Sequence, residues 1–339
     1  MPQTSDINRQ ILLESRPVGA PTQANFRMVE TPVPTVQAGQ MLLRNRWMSL
    51  DPYMRGRMNE GASYAPGVTL GEVMVGGAVG EVIASRHSTF GEGDIAQVYT
   101  GWQQFGVAAG ENAHKVDPAL APISTSLGVL GMPGITAYFG LLDVGQPQTG
   151  ETVVVSGAAG AVGSLVGQIA RIKGCRVVGV AGSDAKVAWV TDELGFAGAF
   201  NYKTTADYGV TLSELCPDGV DVYFDNVGGA ISDAVLPRMK IGGRISVCGQ
   251  ISQYNLNAPE IGPRQTWHFI VKRLVMRGFL VFDYADRYSE ALQELASWVR
   301  EGTLSYREDI VAGLDRAPAA FIGMLQGDNI GKRLIRMDS

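Results

Sequence analysis

The sequence has few of the residues that bind metal ions or form disulfides. Only three cysteines and three histidines occur among its 339 residues. The cysteines, Cys175, Cys216 and Cys248, are widely spaced, which indicates buried thiols of a cytoplasmic protein and not a disulfide framework. The histidines also stand far apart, and none has a second ligand at the spacing of a zinc site. We therefore expect no metal in this protein.

Long apolar runs and basic clusters are also missing. No run reaches the roughly 20 apolar residues that a membrane-spanning helix needs. The first ten residues, MPQTSDINRQ, are polar and lack the core of a signal peptide. The 28 Lys and Arg against 33 Asp and Glu give a net charge of −5, with no basic stripe. These absences predict a cytoplasmic protein that binds neither membranes nor nucleic acid.

The length of the chain and the change in secondary-structure pattern along it predict two domains. Residues 1–130 are β-rich, with strand candidates such as QMLLRNRWMSL and VMVGGAVGEVIAS between turn residues. In residues 131–302, six apolar, β-branched runs alternate with helical patterns, which predicts a doubly wound parallel sheet buried on both faces. The tail, 303–339, returns to β character and is expected to rejoin the first domain. The predicted fold class is α/β, with a discontinuous β-rich domain.

Three glycines stand at the junction of a strand and a helix in VVVSGAAGAVGSLVGQIA, residues 153–170. Gly157, Gly160 and Gly163 are three residues apart, which is more glycine than a turn needs and is typical of a dinucleotide-binding turn. The pyrophosphate of such a cofactor binds at the N-terminus of the following helix. In this segment we expect it to contact Ala159, Gly160, Ala161 and Val162. The alternative is a glycine turn that only packs a helix on a strand.

The residues after the second strand of this domain distinguish NAD from NADP. An acidic residue about 20 positions beyond the glycine turn would bind the ribose hydroxyls of NAD. Here Gly182 and Ser183 are small and neutral and Lys186 follows, which favours the 2′-phosphate of NADP(H). Asp184 would repel a phosphate, and we interpret it as a helix N-cap that points elsewhere. The alternative for Lys186 is an ordinary solvated surface lysine.

Motifs along nearly the whole chain resemble those of the zinc-independent medium-chain dehydrogenase/reductases. The resemblance is greatest to the NADPH-dependent alkenal/one double-bond reductases, the group of the prostaglandin reductases and bacterial curcumin reductases. The motifs are SLDPYMRGRM at 49–58, LGVLGMPGITAYFGLLDVG at 127–145, SGAAGAVGSLVGQIA at 156–170, FDNVGG at 224–229, VCGQISQYN at 247–255 and KRLVMRGFLV at 272–281. Zinc-using members have a Cys near 49–52 and Gly-His-Glu near 71, where this chain has SLDP and LGEV. The resemblance therefore also implies a metal-free site.

The resemblance implies a fold and a set of site residues. Residues 1–130 and 303–339 would form a partly open, GroES-like barrel as the catalytic domain, and 131–302 a Rossmann domain, with a cleft between them. Lys186 and Tyr202 would hold the 2′-phosphate. Tyr53 and Tyr254 would face the substrate. The residues along the rest of the cofactor would be Met132, Thr136, Asn226, Cys248, Tyr254, Phe279, Val281 and Asn329.

A metal-free site must polarise a carbonyl by hydrogen bonds, which suits an α,β-unsaturated ketone or aldehyde. Hydride adds to the β-carbon, and the charge that moves to oxygen is stabilised by an O–H donor. Tyr254, just after the fifth strand, is our first choice for this donor, with the nicotinamide ribose hydroxyl or a purely wall-forming Tyr254 as alternatives. Tyr53 is interpreted as a pocket wall. A quinone reductase and a non-catalytic NADPH-binding protein remain alternative functions.

The sixth apolar run of the second domain, LVMRGFLVF at 274–282, bears on assembly. If this strand lies at the edge of the sheet, its exposed backbone is an aggregation hazard unless another element covers it. Two-fold pairing of two such edges is the simplest cover, and the resemblance also implies a homodimer. The alternative is a loop or helix of the same chain that covers the edge.

Overall fold

The structure is a computed structural model that describes residues 7–61 and 63–337; most of the polar N-terminal segment considered above, residues 1–6, lies outside the described residues. The chain forms two compact units. Unit 1 comprises Met1–Leu127 and Glu308–Ser339, and unit 2 comprises Gly128–Arg307. The predicted limits of the catalytic and cofactor-binding domains, after residues 130 and 302, stay predictions, because this division follows packing and not function.

The strands and helices of the described residues are numbered in chain order. The strands are β1 (Ile7–Leu13), β2 (Phe26–Pro32), β3 (Gln40–Ser49), β4 (Ala78–Ser85), β5 (Ile95–Val98), β6 (Phe105–Ala109), β7 (His114–Lys115), β8 (Thr152–Ser156), β9 (Arg176–Ala181), β10 (Gly198–Asn201), β11 (Val220–Asp225), β12 (Met239–Val247), β13 (Val275–Gly278), β14 (Glu308–Ala312) and β15 (Lys332–Arg336). The α-helices are α1 (Tyr53–Arg57), α2 (Met132–Phe139), α3 (Gly163–Ile172), α4 (Asp184–Ala188), α5 (Tyr208–Leu215), α6 (Gly229–Val235), α7 (Thr266–Lys272), α8 (Tyr288–Arg300) and α9 (Ala317–Gln326).

Unit 1 is built on a seven-stranded mixed sheet and a separate β1–β2 hairpin. The sheet runs β14-β15-β3-β4-β5-β7, and β6 also pairs with β3. The long strand β3 holds the sheet together, because it pairs antiparallel with β4, β6 and β15 along its length. The pairing of β15 with β3 confirms that the C-terminal tail rejoins the N-terminal region. The core beside this sheet contains the buried rings of Trp102 and Phe321, whose centroids lie 5.6 Å apart.

Unit 2 contains a six-stranded parallel sheet with the order β10-β9-β8-β11-β12-β13, as the alternating runs predict. The chain adds β9 and β10 on one side of β8 and then returns to add β11, β12 and β13 on the other side. The valines of β8 are fully buried, because helices cover both faces of the central strands. The order therefore reverses between β8 and β11, and ligands bind at the carboxyl ends of the strands beside such a reversal.

The sixth strand differs from the prediction of a strand buried on both faces. β13 has only four residues, and all four are exposed. It lies at the edge of the sheet and pairs only with β12, so one side of its backbone has no neighbouring strand among the described residues. The apolar residues of LVMRGFLVF therefore form an edge strand and the turn after it, and not a buried strand.

Candidate functional site

Most of the predicted site residues follow the carboxyl ends of the six parallel strands of unit 2. Parallel strands all end at the same edge of a sheet, so these residues lie along one edge, which we call the carboxyl edge. In strand order β8 to β13 they are the turn residues Ala159, Gly160, Ala161 and Val162, then Gly182, Ser183 and Lys186, then Tyr202, Asn226, Cys248 with Tyr254, and finally Phe279 with Val281. Met132 and Thr136 come from α2 of the same unit, whereas Tyr53 and Asn329 belong to unit 1.

The glycine turn after β8 has a backbone that only small residues fit. Gly157 has φ of +61°, a left-handed conformation that favours glycine. A Cβ on Gly163 would lie 2.3 Å from the carbonyl oxygen of Gly157, so this glycine serves the packing of α3 against the turn. A Cβ on Gly160 would meet only that same oxygen, at 3.2 Å. Packing of the helix on the turn is therefore enough to explain the glycine at 163. At position 160, packing requires a glycine less strongly.

At the N-terminus of the helix that follows the glycine turn, the Ser164 and Leu165 N–H groups already donate to the Gly160 and Val162 carbonyls, at 3.1 Å each. No side chain caps α3 and its first turn holds no acidic residue. The amide groups of an uncapped first turn, together with the helix dipole, favour an anion. The turn is fixed in place because the Ala158 N–H donates to the Val180 carbonyl of β9, at 3.0 Å. The segment therefore fits a pyrophosphate.

Gly182 and Tyr202 are in contact at the ends of β9 and β10, and Lys186 follows Gly182 on the first turn of α4. The Tyr202 N–H donates to the Ala181 carbonyl at 3.0 Å, and a Cβ on Gly182 would lie 3.0 Å from the Tyr202 ring. Lys186 is only 8% exposed, which contradicts the alternative of a solvated surface lysine. The glycine is required because a larger residue would push against the tyrosine ring. A buried lysine and a tyrosine thus follow the ends of β9 and β10, the strands after which the sequence predicts a 2′-phosphate.

The N-cap of α4 corrects one prediction. Ser183, not Asp184, is the N-cap, and its hydroxyl oxygen accepts the Lys186 N–H at 3.3 Å. Ser183 has the extended backbone that an N-cap needs, whereas Asp184 is already the first helical residue. The Asp184 carboxylate accepts a hydrogen bond from the Asn201 side chain at 2.8 Å. The carboxylate is therefore bound to the last residue of β10, which directly precedes Tyr202 in the chain.

The ends of β11 and β12 bring Asn226, Cys248 and Tyr254 together. The Asn226 side chain donates to the Ser156 carbonyl at 2.7 Å, and the Cys248 N–H donates to the Asp225 carbonyl at 2.8 Å. The Tyr254 hydroxyl oxygen accepts the Gln250 N–H at 3.3 Å. Burial and, to a lesser degree, the neighbouring Asp225 raise the pKa of Cys248 to about 12, so this residue is a thiol and not a thiolate near neutral pH.

Phe279 packs tightly against the end of α2. A Cβ on Gly140 would lie 2.3 Å from the Phe279 ring, and the ring meets Phe224 edge to face with centroids 6.4 Å apart. On α2, the buried Thr136 donates its hydroxyl hydrogen to the Met132 carbonyl at 2.7 Å. Phe279 is therefore a firmly packed wall, and the hydroxyl oxygen of Thr136 keeps capacity to accept a hydrogen bond.

In unit 1, Tyr53 carries a buried hydroxyl that has no hydrogen-bond partner among the described residues. Burial, more than the nearby Asp51, raises the pKa of Tyr53 well above its ordinary value, so the hydroxyl keeps its proton. Arg57 lies over the Tyr53 ring, 6.0 Å from its centroid. A buried donor without a partner is costly and calls for a specific explanation, of which a bound molecule is one. Asn329, the other predicted residue of this unit, is buried and donates to the Gly331 carbonyl at 2.8 Å.

Sequence reasoning missed two buried charged residues. Lys332 on β15 donates to the Leu50 carbonyl at 2.6 Å and to the Asp51 carboxylate at 2.9 Å, and so fixes the segment directly before Tyr53. Asp225, the last residue of β11, is 5% exposed and accepts hydrogen bonds from several neighbours. The only signal for Asp225 was an acidic residue between an apolar strand and Asn-Val-Gly-Gly. No signal pointed to Lys332, because its partners lie 281 and 282 positions away.

Two searches of the described residues gave no result. Within 7–61 and 63–337, no group of three or more His, Cys, Asp or Glu is placed to hold a metal ion. In the same ranges, no helix has the length and apolar character needed to cross a bilayer.

Known proteins resemble this chain over nearly its full length. A family model described as the N-terminal domain of oxidoreductase matches residues 9–116, and one described as zinc-binding dehydrogenase matches 161–297. The chain is 46% identical to the NADPH-dependent curcumin reductase of Escherichia coli, covering 99% of both chains. It is 43% identical to prostaglandin reductase 1 of Bos taurus, over 94% of this chain and 96% of that protein. The crystal structure of CurA from Vibrio vulnificus in complex with NADPH superimposes with a TM-score of 0.94 at 47% identity, covering 98% of this chain and 99% of that chain.

The fold, the glycine turn and these matches define a medium-chain dehydrogenase/reductase, with a GroES-like N-terminal domain and a Rossmann-like domain. Within that class, the chain belongs to the zinc-independent group of the alkenal/one double-bond reductases, to which the curcumin and prostaglandin reductases also belong.

Proposed function

We propose that this protein is an NADPH-dependent reductase of the carbon–carbon double bond of α,β-unsaturated ketones and aldehydes. The activities named for its relatives, curcumin reductase, prostaglandin reductase and 2-alkenal reductase, support this proposal. The observation that carries the proposal is the carboxyl edge of unit 2, where a glycine turn, a buried lysine and a tyrosine hydroxyl follow successive strands of one sheet.

NADP(H) fits this edge on three grounds. The uncapped N-terminus of α3 suits a pyrophosphate, and the bare backbone at Gly160 lets it approach. The Lys186 ammonium and the Tyr202 hydroxyl can hold a 2′-phosphate. We assign the remaining contacts to Asn226, Cys248, Tyr254, Phe279, Val281, Met132 and Thr136 of unit 2 and to Asn329 of unit 1.

In the proposed reaction the cofactor, when bound, supplies the hydride that adds to the β-carbon of the substrate. The protein must then stabilise the negative charge that develops on the carbonyl oxygen. We assign this role to the Tyr254 O–H, which would donate a hydrogen bond to that oxygen. The Gln250 N–H donates to the Tyr254 oxygen and so makes its O–H a stronger donor. Tyr53 we assign to the substrate pocket, because its buried hydroxyl lacks a protein partner among the described residues.

The test is turnover of NADPH by the purified full-length chain. We expect loss of NADPH absorbance with an enone or enal, formation of the saturated carbonyl compound, and no dependence on added metal or on chelators. Turnover with a quinone alone would assign the protein to the quinone reductases. Binding of NADPH without turnover of either class would favour a non-catalytic role. A stoichiometric, chelator-sensitive metal would overturn the metal-free mechanism.

A homodimer is proposed on the exposed apolar residues around β13. The residues that form this surface, the β13 face, are Trp267, Ile270, Val271, Val275, Met276, Leu280 and Phe282, which are 36% to 69% exposed. Val275 and Met276 lie on the edge strand β13 itself, so a second copy can pair with this strand edge to edge while burying apolar side chains. Light scattering at micromolar concentration should give twice the 36.2 kDa chain mass. A monomer, or a dimer that survives charged substitutions at Val275 and Met276, would contradict this interface.

Location and domain roles complete the proposal. The three cysteines are free, which is typical of proteins in a reducing cytoplasm. We assign residues 1–130 and 303–339 to the catalytic domain and 131–302 to the NADP-binding domain.

A further inference from the structure

The Asp225 side chain lies at the centre of a hydrogen-bond network at the end of β11. It is 5% exposed, and its two carboxylate oxygens accept five hydrogen bonds of 2.5 to 2.9 Å. The donors are the hydroxyls of Ser156, Tyr223 and Ser232 and the backbone N–H groups of Val227 and Gly228. No ion pair among the described residues includes Asp225. A buried carboxylate is thus held entirely by neutral donors.

These bonds fix the backbone that carries the predicted site residues. The N–H groups of Val227 and Gly228 point at the carboxylate, so the turn after Asn226 is wound around it. The Ser156 hydroxyl donates to the carboxylate and accepts the Asn226 N–H, at 2.9 Å each. The position of Asn226 therefore depends on Asp225 both through the chain and through Ser156.

The same turn carries the segment with Tyr254. The Asp225 carbonyl accepts the N–H groups of Cys248 and Gly249, at 2.8 and 3.1 Å. The Asn226 and Val227 carbonyls accept the N–H groups of Ile251 and Ser252, at 3.2 and 3.1 Å. If the turn after β11 shifts, the segment 248–254 must shift with it.

We propose that Asp225 is the positioning residue of the carboxyl edge: its charge holds Asn226 and, through the turn, Cys248 and Tyr254 in the arrangement that binds the cofactor. The inference rests on the proposed function, because it takes these three residues as cofactor contacts. Four of the five donors converge on Oδ1 and the Ser232 hydroxyl donates to Oδ2, so an amide in the same place would set its NH2 group against the Ser232 hydroxyl.

The same strand supplies a matched control. Asp221, at the amino end of β11, is also buried, at 9% exposure. Its carboxylate accepts the Thr152 N–H at 2.8 Å and the Lys240 ammonium at 2.9 Å. Asp221→Asn removes the same charge from the same strand, at the opposite edge of the sheet. Both variants lose buried hydrogen bonds to a carboxylate, so a loss of stability is common to them.

The experiment compares Asp225→Asn with Asp221→Asn in the full-length chain. NADPH and NADH affinities are measured by quenching of protein fluorescence, and stability by thermal unfolding. We expect both variants to unfold at lower temperature. Only Asp225→Asn should bind NADPH more weakly, by about tenfold or more, and NADH should weaken by the same factor because the 2′-phosphate contacts are elsewhere.

A second measurement reports the electrostatic effect of each of the two aspartates on a cysteine. Asp225 contributes to the raised pKa of Cys248, and Asp221 to that of Cys175. The pH at which iodoacetamide alkylates each cysteine, followed by mass spectrometry, should fall for Cys248 in Asp225→Asn and for Cys175 in Asp221→Asn. General loosening would instead speed alkylation of both cysteines in either variant.

The outcomes separate the inference from the proposed function. NADPH affinity of Asp225→Asn equal to that of the parent, or an equal loss in both variants, would overturn the positioning role. A parent that binds no NADPH would overturn the proposed function itself. If Asp225→Asn does not fold, Ser156→Ala, which removes the link between Asp225 and Asn226 without removing a charge, should still weaken NADPH binding at least severalfold; parent-like affinity of Ser156→Ala then counts against the inference.

Discussion

The two edges of the parallel sheet in unit 2 use charge in opposite ways. At the amino edge, where the strands begin, Asp221 pairs with Lys240 at 2.9 Å and Glu151 pairs with both guanidinium nitrogens of Arg244. At the carboxyl edge, Asp225 on the same strand is held by neutral hydroxyls and amides. At the amino edge, each of these carboxylates is paired with a cation, which stabilises the fold. At the carboxyl edge, the Asp225 carboxylate has no cation partner and holds the loop after β11 in position. The comparison predicts that substitutions at the amino edge change only the unfolding free energy, whereas substitutions at the carboxyl edge also change binding and turnover.

The largest effect is expected at Tyr254. Tyr254→Phe keeps the ring and removes the O–H that we assign to the carbonyl oxygen, so turnover of enones should fall about 10–100-fold while NADPH affinity stays. Single-turnover kinetics at saturating NADPH and enone would measure it. A variant within twofold of the parent, with hydride transfer rate-limiting, would reassign the hydroxyl role to the cofactor ribose or to water. Tyr202→Phe is the matched control, since its hydroxyl is assigned to cofactor binding.

The next prediction concerns Lys186, the buried lysine of the carboxyl edge. Lys186→Ala should weaken NADPH binding by about tenfold or more, because a charge-assisted contact to a phosphate is lost. NADH, which lacks the 2′-phosphate, should bind as it does to the parent. Titration of both cofactors tests this, with Lys203→Ala, the exposed neighbour of Tyr202, as control. Equal losses for the two cofactors would show that Lys186 does not contact the 2′-phosphate.

The cysteines at the two edges should differ in reactivity. Burial is the first cause of the raised pKa at both, to about 12 for Cys248 at the carboxyl edge and about 11 for Cys175 at the amino edge. Because only the thiolate reacts, alkylation of either cysteine should rise with pH, and Cys248 should have the smaller thiolate fraction at a given pH below both values. Site-resolved mass spectrometry over pH 7–10 (about the usable range for iodoacetamide) measures both rates. Cys248 is partly exposed, unlike the buried Cys175, so rapid modification of Cys248 at neutral pH would contradict its raised pKa.

The smallest effect on function is expected at the amino edge. Arg244→Met removes the bonds to Glu151 and those to the Gly145 and Gln146 carbonyls, and should lower the unfolding free energy by about 1–3 kcal/mol. NADPH affinity and turnover should stay at parent values. Urea unfolding and steady-state kinetics measure the two. Arg9→Met, which breaks an exposed pair with Glu30, should cost at most about 1 kcal/mol. A loss of NADPH affinity in Arg244→Met would remove the distinction between the edges.

Much of the fold was predictable because it follows from local patterns. The six strands, the glycine turn and the return of the tail to the first unit are read from apolar periodicity and glycine spacing. The expectation that β13 is buried on both faces was wrong, since an apolar run is the same whether a strand is covered or not, whereas the edge position on which the assembly argument depends is confirmed. The prediction of Asp184 as N-cap was wrong by one residue, since Ser183 and Asp184 are both good capping residues and only the backbone conformation selects between them.

The site was predictable to a lesser extent. The glycine turn and the Gly182–Lys186 segment were predicted from their own residue types and spacing. The other site residues were predicted only from the resemblance of motifs to a known family. Neither source pointed to Asp225 or Lys332, because their partners are distant in sequence: Ser156 is 69 positions from Asp225, and Asp51 is 281 positions from Lys332.

The sequence by itself determined the order of strands and helices, the glycine turn and the neutral residues after β9, since each depends on neighbours within a few positions. Only the tertiary structure decided that Lys186 is buried, that β13 is an edge strand, and that two aspartates of one strand, Asp221 and Asp225, meet a cation in one case and five neutral donors in the other. The physical reason is that burial, electrostatic environment and hydrogen-bond partners are properties of the space around a side chain. Packing brings distant segments into that space, and no local spacing of residue types specifies it.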